Sequence, residues 1–214
     1  KPAMPTSTTK SVALAAMLIA CASASAQSDT LGKIKESSSI TMGVRDASGA
    51  MSFTLGPGKY TGFHVEICER VIADIRKALH LDKIDVKYQL VTPQNRIPLV
   101  QNGTVDIECG TTTNNAARQK DVAFAPTLYV EGIRIAVKTN SGIASPAQLA
   151  GKTVAATTGS TSVQALRRLG RDGVAGVSEV LSKDNSEGFL LLEGGRAEGF
   201  IADGQILATL ISRS

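Results

Sequence analysis

Residues 94–120 read QNRIPLVQNGTVDIECGTTTNNAARQK, and this stretch holds the alternation on which the fold turns. A short helix is predicted around 97–101, where Pro98 is tolerable because first-turn N–H groups have no intrahelical partner. Asn102-Gly103 supplies a turn and 104–107 a strand. The loop GTTTNN, rich in hydroxyl and amide groups, follows. Arg96 stands before the strand and Arg118 after the loop. Each guanidinium is a rigid planar fork of donors matched to a carboxylate, which the point charge of lysine cannot copy. No group suited to chemistry stands beside them, so the pattern points to capture of a small anionic solute rather than its conversion.

Working outward, 39–44 reads as a strand ended by Arg45, and 46–59, rich in Gly and Ser, as a loop. Phe63, Ile67, Val71, Ile75 and Leu79 recur at helical spacing with Ile72 widening the face, which predicts a helix packed on a sheet. Ile84, Val86, Tyr88 and Leu90 alternate with polar residues, the period of a strand. Downstream come a strand at 133–137, a helix signal at Ser145-Pro146 and a strand at 153–156. The loop TTGSTS (157–162), a helix from near Val163, and a last helix and strand within 187–202 close the readable part. Strands alternating with helices imply an α/β layered architecture with parallel strands. A boundary between two lobes is placed close to Gly132, giving 27–132 and 133–214.

The 214 residues suffice for one ordinary domain or two small lobes. A hydrophobic content of 43% and a charged content of 20% are those of a soluble globular protein. Net charge is +4, and +4 − 2 = +2 without Lys1 and Lys10 of the leader described next. So mild a balance, with no basic run interleaved with aromatics, argues against nucleic acid as a partner. Aromatics make up 4% and Trp is absent, which leaves no stacking platform for bases or sugars. No G-x-x-x-x-G-K-[ST] loop is present for ATP, and nothing calls for a cofactor.

Lys10, the apolar run 12–20 and CASASAQ (21–27) have the order of a secretory signal peptide. The run is too short for a membrane span of about 20 apolar residues. Ala24 and Ala26 supply an A-x-A site with cleavage before Gln27, so 1–26 would be removed. Leu18-Ile19-Ala20-Cys21 resembles a lipobox, which would instead leave a lipidated Cys21; the freely soluble product is preferred. Either route puts the protein outside the cytoplasm. Beyond the leader, Cys68 and Cys109 remain. An oxidising compartment permits a bridge, but with one on a helix and the other at a strand end, two buried thiols are the preferred reading. His64 and His80 are isolated and form no metal-ligand spacing.

Several residues could hold a ligand, each beside a plainer reading. Arg118 with the Thr113 hydroxyl and loop N–H groups could take a carboxylate, although solvated arginines are commoner. Gly159-Ser160-Thr161-Ser162 precede a helix, whose N-terminal N–H groups and partial positive charge attract anions; ordinary capping uses the same residues. Asp203, ending GFIAD, could pair an ammonium or simply begin a turn.

With these residues in place, the chain resembles bacterial periplasmic solute-binding proteins for polar amino acids, and most closely the glutamate/aspartate-binding components of ABC importers (solute-binding protein family 3). QNRIPLVQNGTVDIECGTTTNNAARQK matches nearly residue for residue, and TTGSTS, EGGRAEGF and Asp203 follow in register. The resemblance covers almost everything after the leader. It implies the type II periplasmic binding protein fold, with two lobes joined by a hinge, closing on glutamate or aspartate and delivering it to an inner-membrane permease as a monomer. Arg118, Thr113 and Thr161 would hold the ligand α-carboxylate, with Ser160 beside them. Asp203 and the Thr111 region would receive the ammonium, and Arg45 and Arg96 the side-chain carboxylate. Arg118 and Asp203 balance a zwitterion, which leaves Arg45 and Arg96 to favour an acidic side chain. Two readings on the same fold compete: a dehydratase-like enzyme, for which His64 and Glu66 are poor acid–base candidates, and the sensor domain of a receptor.

The match is not complete. Asn185, in SKDNSEGF, stands where the acidic-ligand relatives carry a histidine, and Pro93 where they carry a serine. Family members also continue well past Asp203 before returning to the first lobe, whereas this sequence stops at Ser214 and opens on Lys1 rather than Met. The expectation is therefore a fragment, with the second lobe and the C-terminal return truncated, apolar surface uncovered and low stability on its own.

Overall fold

The computed structural model describes residues 29–214; the leader and both proposed processing points, at Cys21 and before Gln27, lie outside them. The chain runs α1 (Thr30–Ser37), β1 (Ser39–Val44), β2 (Phe53–Gly56), β3 (Lys59–Thr61), α2 (Phe63–Ala78), β4 (Asp85–Leu90), α3 (Arg96–Gln101) and β5 (Ile107–Glu108). It continues with β6 (Ile133–Val137), β7 (Thr153–Thr157), α4 (Thr161–Arg171), β8 (Ser178–Ser182), α5 (Asn185–Glu193), β9 (Gly199–Asp203) and α6 (Gly204–Ile211).

Two main sheets result. The first has the order β4-β1-β5, all parallel, with Gly43 opposite Glu108 and Val44 opposite Leu90. The second has the order β6-β9-β7-β8, in which β7 runs parallel to β8 and β9 while β6 is antiparallel to β9. Parallel strands end on one side, so the loops after β1, β4 and β5 gather at one rim. Those after β7, β8 and β9 gather at another. Such carboxyl-end rims are where open α/β sheets bind ligands.

Period-two alternation sorts the core. Ile40, Met42 and Val44 of β1 share one face and pack with Ile34 of α1, and with Val65, Cys68 and Ile72 of α2. Each fully buried apolar side chain of this kind is worth ~1.5–3 kcal/mol. The second sheet is covered on both faces, as parallel sheets require. Val154, Ala156 and Ile201 meet Val163 and Leu166 of α4. Ala155, Phe200 and Ala202 meet Phe189, Leu192, Ile206 and Leu207 of α5 and α6. Gly188 lets α5 press onto β9, since a Cβ there would run into the Phe200 ring. No described helix is long and apolar enough to cross a membrane.

Several expectations are corrected. The helix stripe of α2 is rotated: Phe63 and Val71 are exposed, and Val65, Cys68 and Ile72 are buried, with Ile75 and Leu79 partly so. Residues four apart advance 400°, a drift of ~40° per step and ~160° from Phe63 to Leu79, so a strict i+4 stripe cannot stay on one face. The predicted loop 46–59 contains β2 and opens β3, an antiparallel hairpin turned at Pro57-Gly58. Strand pairing predicted for 104–107 falls instead at Ile107–Glu108. At Pro146–Leu149 the chain forms a 3-10 turn with a Ser145/Gln148 capping box rather than an α-helix. Helix α4 starts at Thr161, before Val163. Helices α1 and α6 and strand β8 were not anticipated.

Cys68 and Cys109 form a disulfide, in place of the two thiols preferred from sequence. The topology lays α2 over the β1–β5 pair and brings the residues together. His64, one helical turn before Cys68, adds a hydrogen bond from Nδ1 to the Gly110 carbonyl at 2.6 Å. The end of β5 is thus tied to α2 at two adjoining points.

Candidate functional site

The two rims enclose a cavity lined by Arg45, Pro93, Arg96, Thr111, Thr113, Ser160, Thr161, Ser162, Asn185, Ala202, Asp203 and Ile206. Every residue expected from sequence to hold the ligand is there except Arg118. The residues come from loops and helix starts that follow strands of both sheets.

Arg45, the first residue after β1, is 1% exposed, and its Nε and Nη2 are buried without a partner. Its backbone is fixed by Ser52, whose Oγ accepts from Arg45 N at 2.9 Å. Arg96 opens α3, is 3% exposed, and leaves Nε and Nη1 equally unpartnered. Burial lowers the pKa of both guanidiniums. For Arg45 the opposing fields are those of Glu108, Asp46 and Asp184. Arg96 falls to about 10, with burial the main cause; Glu108 opposes the fall, and Arg45 and Arg118 add to it. Both remain cations at neutral pH, since a guanidinium is not deprotonated in proteins. Unsatisfied buried charged donors are expensive, and two of them lining one cavity could take an anion.

Ser160 is the N-cap residue of α4, but its hydroxyl makes no cap bond and is buried without a partner. Capping, the plainer alternative, is therefore not what this hydroxyl does. Thr161 and Ser162 follow in the first turn and line the cavity, and a helix start favours an anion. Gly159, at φ +78, lets this loop touch the other rim: a Cβ there would lie 2.7 Å from backbone atoms of Gln94. Thr111 Oγ1 donates to Ser48 Oγ at 3.5 Å.

Asn185 opens α5 and is largely committed. Its Nδ2 donates to the Ala47 carbonyl at 2.7 Å, and its Oδ1 accepts from Thr157 Oγ1 at 3.0 Å. Asp203 ends β9 without capping α6. Burial raises its pKa above 3.8; Arg96 opposes the rise and Glu131 adds to it.

Arg118 sits beside the cavity. Its Nη1 donates to Thr113 O and its Nη2 to Gly159 O, both at 3.0 Å. With Asn185–Ala47 and a 3.4 Å bond from Gln205 Nε2 to Ser48 O, three hydrogen bonds hold the rims together. The enclosed free volume is about 20 Å³, little more than the ~10–15 Å³ that one water needs. A larger guest must separate the rims.

Glu108, at the end of β5, was missed from sequence. It accepts from Thr112 Oγ1 at 2.7 Å and acts on Arg45, Arg96 and Arg118. A charged residue closing an apolar strand between two arginines was the available signal. The sequence also gave no sign of the Ser48, Ser52 and Gln205 contacts.

Cations, hydroxyls and a helix start on opposing rims, with one carboxylate among them, define a class: two-sheet α/β proteins that clasp a small polar solute. Neither His64 nor Glu66 lines the cavity. Residues 40–206 match the bacterial extracellular solute-binding proteins, family 3, and the chain belongs to that family. An L-glutamate/L-aspartate-binding protein of Pseudomonas aeruginosa is 44% identical over 196 residues, covering 91% of this chain and 65% of the relative. A glutamate/aspartate import solute-binding protein of Escherichia coli is 37% identical over 185 residues, covering 86% and 61%. The chain thus spans less than two thirds of the length of these relatives. The crystal structure of the ancestral amino acid-binding protein AncCDT-1, a precursor of cyclohexadienyl dehydratase, has a TM-score of 0.74 at 25% identity, covering 86% of this chain and 78% of that one. The fold is that of the type II periplasmic binding proteins.

Proposed function

We propose that this chain is the ligand-binding part of an exported solute-binding protein that captures glutamate or aspartate and presents it to an ABC permease in the inner membrane. It would act as a monomer in the periplasm after loss of 1–26, with lobes 27–132 and 133–214 closing on the ligand. The observation that carries this reading is the pair of buried guanidiniums, Arg45 and Arg96, with unpartnered N–H groups in one cavity.

Arg45 and Arg96 take the side-chain carboxylate. The α-carboxylate goes to Ser160, Thr161 and Thr113, and to Arg118 once its fork turns from the two carbonyls. Asp203, near Thr111, receives the ammonium. Asn185 adds its second N–H. Closure follows because only the closed state makes contacts from both rims at once. The proposed role ends at binding, and no turnover is assigned.

Calorimetric titration with glutamate, aspartate, glutamine and asparagine tests this. The acidic pair should bind well above the amides, and Arg45→Ala should erase the difference. Tighter binding of glutamine than of either acid would overturn the proposal.

A further inference from the structure

Glu108 is a half-buried carboxylate packed against Arg45. Its Oε2 accepts from Thr112 Oγ1 at 2.7 Å, and its Oε1 is buried without a partner. It lies against Arg45 across the bare backbone of Gly110: a Cβ there would collide with Glu108 Oε1 and lie 2.8 Å from Arg45 Cγ. It is not among the lining residues, and it belongs to none of the three ion pairs among the described residues. Its field nevertheless reaches Arg45, Arg96 and Arg118.

Asp46 and Asp184 also act on Arg45, and Glu131 on Asp203. Of these carboxylates Glu108 alone acts on all three arginines, so removing its charge raises the positive field at every guanidinium.

We infer that Glu108 is a specificity-determining residue: its charge tempers the pull of the three arginines on anions, so that dicarboxylates lacking an ammonium group lose more affinity than amino acids of net charge −1. Each further negative charge on the guest feels the Glu108 carboxylate once more. This inference rests on the proposed acidic amino-acid function and refines it.

The test titrates the full chain with L-glutamate and with glutarate, the same dicarboxylate without the ammonium. Wild type should prefer L-glutamate. In Glu108→Gln the glutarate-to-glutamate affinity ratio should rise roughly tenfold, because the added charge acts twice on the dianion and once on the amino acid. Glu108→Asp, which keeps the charge, should retain the wild-type ratio. A purely structural role would weaken both ligands alike and leave the ratio fixed, which overturns the inference. If Glu108→Gln does not fold, Glu108→Ser, smaller and equally uncharged, repeats the test with the same expected rise; an unchanged ratio there overturns the inference as well. Failure of wild type to bind L-glutamate at all defeats the proposed function itself, and that result is read before any variant is made.

Discussion

Arg118 Nη2 donates to the carbonyl of Gly159 at 3.0 Å, so an arginine following the first sheet holds the loop that opens α4 on the second. Its other terminal nitrogen holds Thr113 O at the same distance. One fork therefore serves both rims, and a ligand carboxylate at the start of α4 would compete for it.

Lysine has the charge but not the fork. Arg118→Lys should lower glutamate affinity by about 10–100-fold, the worth of a charge-assisted hydrogen bond, as measured by calorimetry. Unchanged affinity would confine the guanidinium to its two carbonyl contacts.

Asn185 is 5% exposed and satisfies two buried partners on different elements. Asn185→Ala would leave the Thr157 hydroxyl and the Ala47 carbonyl short of their bonds. A stability loss of ~1–3 kcal/mol is expected, read from the chemical denaturation midpoint.

Asp203 gives a pH signature. Burial holds its pKa above 3.8, and an ammonium partner would bring it back down. Binding should therefore release a proton in the acid window above 3.8, and affinity should climb as pH rises through that window and then level off. Titration in buffers of different ionisation enthalpy measures the release, and Asp203→Asn should reduce it to the share of the ligand's own carboxyl groups, which titrate in the same range.

The Cys68–Cys109 bridge spans 41 residues of sequence, for which the chain-entropy relation gives about 4 kcal/mol. Reduction should lower the thermal midpoint sharply. It should also weaken binding, because Cys109 adjoins Glu108 and the Thr111–Thr113 loop.

What sequence could show was set by burial. β1 and β7 were legible because their apolar residues are core residues, and β6 because Ile133, Ile135 and Val137 alternate along it. β2 and β3 were not, since Thr54 and Leu55 are exposed and leave no alternation to read. α1 buries only Ile34 and so lacks a stripe. The disulfide was hidden because residue spacing cannot show α2 lying over β5. Arg45 and Arg96 were legible as cations in a telling order, but their burial and open donors appear only once the rims meet. Glu108 escaped because its one signal, an acidic residue closing a strand between two arginines, also fits an ordinary solvated strand end.

The central claim is that two buried guanidiniums await one ligand carboxylate. A crystal structure of the chain grown with L-glutamate tests it most directly. The account expects the side-chain carboxylate within hydrogen-bonding distance of Arg45 Nε or Nη2 and of Arg96 Nε or Nη1, with the ammonium on Asp203. Density placing that carboxylate elsewhere, with both guanidiniums still unpartnered, would contradict it.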